Sequence, residues 1–312
     1  MDALNTSAFT AFIGIDWADA KHDVCIQGAD GDEPEFAVIP HQVERIDEWA
    51  QALRQRFGSP MAVAVELSKG PIVYALQKHD CFVIFPVNPS TLAKYREAFQ
   101  PSRAKDDPTD AEIAVDLIMR HPERFKPLHP QSTEMRTLAT LVEQRRHLVD
   151  DKIRITNRLR VALKQYYPQT LVWFDHIDTP LFCDFLTRWP TLLQAKRARK
   201  NTLKTFFHGH NMRFEQVLEQ RLVAIKTASP LTLDEAVIVP YRLQALVLVE
   251  QLRVLLNAIK RFDTEIESVA KQHTDYALFS ALPGAGPTLA PRLLVAFGEQ
   301  RERYKNAADV QK

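Results

Sequence analysis

Phe12-Ile13-Gly14-Ile15-Asp16-Trp17-Ala18-Asp19-Ala20-Lys21-His22-Asp23-Val24-Cys25-Ile26 is the stretch that decides the fold. An apolar run from Phe12 to Ile15 ends on the acidic Asp16. A short polar turn and a second apolar run, Val24 to Ile26, follow. The pattern predicts a β-hairpin with a carboxylate at the tip of its first strand. On this stretch alone the plainer reading leads, because aspartate opens turns by bonding its own backbone. Three carboxylates further along the chain shift the balance.

Downstream, Phe36 to Ile39 reads as a third strand, and Gln42 to Phe57 carries Val43, Ile46, Trp49, Ala50, Leu53 and Phe57 on one helical face. Met61 to Val65 is a continuous apolar run, expected for a strand buried on both faces, and it ends on Glu66. Pro71 to Lys78 is a short helix opened by proline, and Phe82 to Phe85 is another buried strand. A three-strand meander followed by helix, strand, helix, strand and helix is the order of a ribonuclease-H-like α/β domain with a mixed sheet. Asp16 and Glu66 then stand at the C-terminal strand ends, the edge where open α/β sheets build their sites.

A second acidic pair lies in Arg103-Ala104-Lys105-Asp106-Asp107-Pro108-Thr109-Asp110-Ala111. Pro108 suits the first turn of a helix, with Asp107 as its cap and Asp110 one turn on, so the two carboxylates share a face. Four carboxylates on one edge repel unless a cation sits among them, and hard oxygen ligands suit Mg²⁺ or Mn²⁺. Two such ions about 4 Å apart clamp the attacking and leaving oxygens of a phosphoryl transfer.

The three segments Gly14-Ile15-Asp16-Trp17-Ala18, Val65-Glu66-Leu67-Ser68 and Ala104 to Ala111 resemble the DEDD transposases of the insertion-sequence-110 family, whose N-terminal domain is RuvC-like. The resemblance implies Asp16, Glu66, Asp107 and Asp110 as catalytic and metal-binding residues, with Asp106 at a variable position. It also implies recombination of donor and target DNA, guidance by a structured non-coding RNA, and a homo-oligomer. Lys105 is a candidate phosphate contact, with neutralisation of its acidic neighbours as the even alternative.

The remaining chain reads as helical. The composition, 46% hydrophobic and 25% charged with nine glycines, is that of a helix-rich globular protein. A length of 312 residues predicts more than one domain, divided at residues 1–127, 128–275 and 276–312. A long helix is expected from Glu134 to about Tyr167. Its face carries Arg145, Arg146, Lys152, Arg154, Arg158, Arg160 and Lys164 against Asp150 and Asp151, an excess of five positive charges. Such a face is usually just solvated. One so lopsided, ending in Tyr166-Tyr167, favours contact with a nucleic-acid backbone and stacked bases. Lys196, Arg197, Arg199 and Lys200 form a second basic cluster. Trp173, Trp189, Phe182 and Phe185 read as core, and His208-Gly209-His210 as loop.

Ala245, Leu248, Leu252, Leu255, Ile259, Phe262, Ile266 and Val269 keep the spacing of a coiled-coil seam, whose partner is either the earlier long helix or another protomer. Leu282-Pro283-Gly284-Ala285-Gly286-Pro287 is a Gly-rich turn into an apolar helix. Gly284 and Gly286 either permit the turn or present backbone N–H groups to a DNA phosphate. The resemblance puts a nucleophilic serine beyond a second Gly-rich segment. None is expected before Lys312, so the C-terminal domain is read as truncated.

Three separate cysteines in apolar contexts, no signal sequence and no apolar stretch long enough for a bilayer predict a cytoplasmic protein without membrane contact. Two other functions compete with the transposase. A junction-resolving nuclease fits the carboxylates but not the long helices. A nucleic-acid-binding remnant without catalysis fits the missing serine.

Overall fold

Strands Ala11–Trp17 (β1), Lys21–Gly28 (β2) and Glu35–Pro40 (β3) form the antiparallel meander that the hairpin pattern predicts. The computed structural model describes residues 8–31, 33–99, 107–304, 306, 308 and 309. They group into two units, Met1–Pro130 and Gln131–Lys312.

In the first unit the meander continues into helix Val43–Phe57 (α1), strand Met61–Val65 (β4), helix Pro71–Leu76 (α2), strand Phe82–Pro86 (β5) and helices Pro89–Phe99 (α3) and Asp107–Arg120 (α4). The five strands lie in the order β3-β2-β1-β4-β5, with β1, β4 and β5 mutually parallel. This mixed sheet is consistent with a ribonuclease-H-like domain. Residue alternation divides its core in two. Ile13, Ile15, Val63, Val65 and Ile84 pack against Ile46, Ala50 and Leu53 of α1 and Ile72, Val73 and Leu76 of α2. On the other face Phe12, Cys25, Ala62, Ala64 and Phe85 meet Ala111, Ala114, Val115 and Ile118 of α4.

Gly14 is what lets α4 lie on that second face. A Cβ there would sit 2.0 Å from the Ala111 carbonyl oxygen and 3.0 Å from Val115 Cγ2. The helix backbone therefore rests on the bare backbone of β1, and its neighbours Ala62 and Ala64 in β4 keep the surface low beside it.

The second unit is helical. Thr133–Tyr166 (α5) is capped by Ser132, whose hydroxyl accepts from the Met135 amide at 3.1 Å. Short helices follow: Thr170–Trp173 (α6), Pro180–Arg188 (α7), Leu192–Arg197 (α8), Lys200–Gly209 (α9) and Glu215–Thr227 (α10). They enclose an aromatic core of Tyr167, Trp173, Phe174, Phe182, Phe185, Trp189 and Phe207. Glu235–Gln272 (α11) then returns along α5. Ala245 and Leu248 share a core with Leu159 and Leu163, while Ile266 and Ala270 share one with Met135 and Leu138; the two helices are antiparallel. Tyr276–Ser280 (α12) and Gly286–Phe297 (α13) join that last core through Phe279, Ala290 and Leu294. No helix among the described residues is long and apolar enough to cross a membrane.

Gly14→Ala forces a methyl group onto a carbonyl that cannot rotate away, because the oxygen belongs to the helix backbone. The variant is expected to lose at least about 3 kcal/mol of stability, the upper part of the usual range for overpacking. Urea unfolding of the two proteins measures it.

Candidate functional site

The sheet brings acidic residues to one edge by register. Asp16 lies on the same face of β1 as Phe12 and Gly14, the face covered by α4. β4 runs parallel to β1 with Ile15 beside Val65, and continuing that register by one residue sets Glu66 beside Asp16. Both are half-buried. Asp110 directly precedes Ala111, the point of closest approach to Gly14, so the glycine contact holds it near the end of β1. Helix α4 begins on Asp107, one turn before Asp110, as the sequence predicts. The Asp107 side chain, Lys105 and Asp106 lie outside the described residues.

Two charged residues in this region were not singled out in the sequence. Arg96, on α3, forms an ion pair with Asp110, and Asp110 is only 4% exposed. The contact is not an aligned hydrogen bond. Asp110 Oδ1 and Arg96 Nε are buried without a hydrogen-bond partner among the described residues. The second is Asp23, which stands directly opposite Asp16 in the β1–β2 ladder and is 6% exposed. Lys21 Nζ lies 3.4 Å from its carboxylate. Opposed carboxylates on one sheet face repel. The hairpin periodicity contained this signal: once Asp16 is placed, counting back across the turn reaches Asp23. The Arg96 pairing carried no such signal, because its partner lies on a different helix.

Burial raises the neighbouring Cys25 thiol to about 12, with the Glu112 carboxylate adding to the effect. Negative charge is thus disfavoured beneath α4. Among the described residues no three His, Cys, Asp or Glu side chains are gathered closely enough to hold a metal ion. The donor chemistry nevertheless suits a hard cation: carboxylate oxygens only.

The opposite sheet face holds a different titratable pair. His22 is fully buried, with its Nε2 2.8 Å from His41 Nδ1 and its ring beside Trp17. Burial holds its pKa below the ordinary 6.5, the His41 charge adds to this, and Asp23 opposes it.

In the second unit the basic residues separate into neutralised and available ones. Arg145 is paired with Asp263, Arg146 with Asp150 at 4.0 Å, Lys152 with Asp178 at 2.6 Å, Arg154 with Asp151, and Lys200 with Glu219 at 2.7 Å. The Lys152 hydrogen bond lowers the pKa of Asp178. Lys196 donates to the Ala228 carbonyl at 2.6 Å. Arg158, Lys164, Arg197 and Arg199 are exposed and have no acidic partner among the described residues, and exposed Arg160 bonds only Asn157.

Tyr166 and Tyr167 correct the sequence reading. They are 4% and 0% exposed, packed in the aromatic core, and cannot stack on bases. Burial raises the pKa of both phenols. Trp173, Trp189, Phe182 and Phe185 are core residues as expected. His208-Gly209-His210 is not wholly loop: His208 and Gly209 end α9. His208 faces Glu215 at 3.4 Å, and His210 faces Asp184 at 3.3 Å. Gly284 and Gly286 have φ of +78° and +53°, and a Cβ at either would meet open space, so backbone conformation selects glycine there.

Residues 13–168 match the IS110 DEDD family model, described as transposase. A protein of Streptomyces coelicolor named as the mini-circle transposase for IS117 is 29% identical over 309 residues, 96% of this chain and 74% of the relative. One of Sinorhizobium fredii named as transposase y4uE is 29% identical over 209 residues, covering 65% and 57% of the two chains. An uncharacterized protein of insertion element IS116 from Streptomyces clavuligerus is 24% identical over 302 residues, covering 95% and 73%.

Two outcomes follow from the buried groups. Tyr167 Oη has no hydrogen-bond partner among the described residues. Tyr167→Phe should therefore leave stability unchanged or raise it by up to about 1 kcal/mol, with nucleic-acid binding unaffected; urea midpoints and oligonucleotide titration check this. For His22, the folded pKa lies below the unfolded 6.5, so the unfolded chain takes up the proton first as pH falls. Stability present at neutral pH should decline below about pH 6.5, and His22→Gln should flatten that decline in urea midpoints taken at several pH values.

Proposed function

The chain belongs to the IS110 family of transposases, and from that membership we propose that its first unit is a RuvC-like centre performing phosphoryl transfer on donor and target DNA. Asp16, Glu66, Asp107 and Asp110 would hold Mg²⁺ or Mn²⁺. The observation that carries this reading is the Gly14–Ala111 contact, which ties the helix bearing Asp107 and Asp110 to the strand bearing Asp16.

A bound divalent ion supplies positive charge to the phosphate and to the attacking oxygen. The protein's own part is electrostatic and positional. Asp16, on β1, and Glu66, one residue past the end of the adjacent parallel β4, present carboxylate oxygens from the edge of a rigid sheet. The Arg96 guanidinium compensates the buried Asp110 charge and restrains its direction.

The second unit is proposed to bind a structured guide RNA through the exposed Arg158, Arg160, Lys164, Arg197 and Arg199, leaving sequence choice to base pairing. Apolar residues left exposed on α11, among them Leu243, Val247 and Val254, suit association of protomers into the expected oligomer.

The test is a double dissociation. Asp16→Asn should abolish Mg²⁺-dependent strand cleavage and exchange and weaken Mn²⁺ binding in calorimetry, while RNA affinity stays as in the parent. Arg158, Arg160 and Lys164 changed together to Gln should weaken RNA binding and flatten its salt dependence, leaving Mn²⁺ binding intact. Unchanged metal binding in Asp16→Asn overturns the carboxylate assignment. Unchanged RNA affinity and salt slope in the triple variant overturn the RNA assignment.

A further inference from the structure

Beyond β5, α3 and the end of α4 enclose an open groove of about 800 Å³ that the carboxylate edge does not use. The charged groups lining it are cationic: Lys94 from α3, and Arg124 and Lys126 from the segment that follows α4. Among the described residues no aspartate or glutamate lines it. Lys94 and Lys126 are exposed and have no acidic partner among the described residues. Two acids among the described residues touch lining residues: Glu123, 3.6 Å from Arg124 Nε and 3.9 Å from His121 Nδ1, and Asp116 behind Tyr95, which Arg120 neutralises, so the lining keeps a positive excess.

One wall is aromatic and fixed. The Tyr95 ring meets His121 edge-on, with centroids 6.2 Å apart and planes at 80°. Its hydroxyl donates to Asp116 at 2.7 Å, and that carboxylate also holds Arg120. Tyr95 and His121 are half-buried, so their rings are braced from behind and still reachable.

Position gives the groove its meaning. Pro86 and Asn88, which also line it, continue from the C-terminal end of β5, and Pro86 pairs with Val65, the residue before Glu66. The groove thus opens on the same sheet edge as Asp16 and Glu66.

We propose that this groove binds a single nucleic-acid strand, with Lys94, Arg124 and Lys126 on its phosphates and a base against Tyr95 and His121, and that it leads the strand to the carboxylate edge. A cationic track beside aromatic faces is the chemistry that holds single strands without reading sequence. The volume lies within the roughly 300–1,000 Å³ of ligand clefts, which takes a few nucleotide groups and not a duplex. The inference rests on the phosphoryl-transfer reading but is tested apart from it, because binding is measured with EDTA present and no reaction running.

The experiment uses the full chain and fluorescent twelve-nucleotide dT and rU oligomers, titrated by anisotropy across a salt series. The Lys94→Gln, Arg124→Gln, Lys126→Gln triple variant changes only exposed side chains, and circular dichroism verifies its fold. It should bind at least about tenfold more weakly, with the salt slope reduced by about 2, the value for three phosphate contacts on a single strand. The oligomer that loses more affinity names the strand as DNA or RNA. Photocrosslinking of the parent with iodouracil-containing oligomers should label Tyr95 or His121. The second-unit variant with Arg158, Arg160 and Lys164 changed to Gln should retain that crosslink. Unchanged affinity and slope in the groove variant, or crosslinks confined to the second unit, would overturn the proposal. Loss of cleavage in Asp16→Asn with groove binding intact separates the two readings.

Discussion

The contact of α4 with the bare backbone at Gly14 is the constraint from which the first unit's arrangement follows. An α-helix packed on a sheet normally stands off by the length of the intervening side chains. Here a Cβ would overlap the Ala111 carbonyl oxygen, so the helix backbone reaches the strand itself. That approach sets the height of α4 and its position along β1. Asp110 is consequently placed by backbone packing, which is stiff, and not by a flexible side-chain contact. Ala62 and Ala64 in the adjacent strand serve the same end, since larger residues there would lift the helix away.

Charge is organised differently in the second unit. The basic excess on α5 shrinks once its partners are known, because Arg145, Lys152 and Arg154 each face an aspartate. The exposed pair of Arg154 with Asp151 contributes only about 0–1 kcal/mol to stability. The larger effect of these pairs is on the field: they remove residues 145 to 154 of the helix from consideration as a cationic surface. What remains positive lies toward the C-terminal turns, at Arg158, Arg160 and Lys164. The helix dipole favours cations at that end in any protein. The unpaired cations of the next cluster, Arg197 and Arg199, have no such explanation, since they lie at and beyond the end of a helix only six residues long.

β4 and β5 were legible because burial on both faces leaves nothing but apolar residues in them, and Met61–Val65 keeps the same bounds in the structure as in the sequence. The direction of Asp16 was legible by alternation, and so, had the count been carried across the turn, was Asp23. Gly14 could be seen as a glycine but not explained, since its reason is a helix about a hundred residues downstream in the chain. Arg96 was illegible for a similar reason: two helices had to be docked before it met Asp110. Tyr166 and Tyr167 misled because their neighbours in sequence are basic. The aromatic residues that draw them inward, from Trp173 of α6 to Phe207 of α9, come later in the chain and meet them only in the folded core. Lys94, Arg124 and Lys126 formed no run and no period, so their groove emerges only from the fold.

The acidic edge departs from the rules that the rest of the unit obeys. Asp16 faces Asp23 across a ladder, Asp110 is a buried carboxylate, and the adjacent Cys25 sits where ionisation is suppressed. A sequence under selection for stability alone has simpler solutions, such as threonine opposite valine at the ladder position. Local conflict of this kind, inside a sheet that is otherwise consistent at every level, is what a functional site looks like physically. Lys21 and Arg96 answer part of the negative charge, one from the turn and one from α3. Asp16 lies on β1, and continuing the β1–β4 register by one residue sets Glu66 beside it at the same edge. On the proposed reading a divalent ion adds positive charge at that edge, so the repulsion among the carboxylates favours a small, doubly charged ligand.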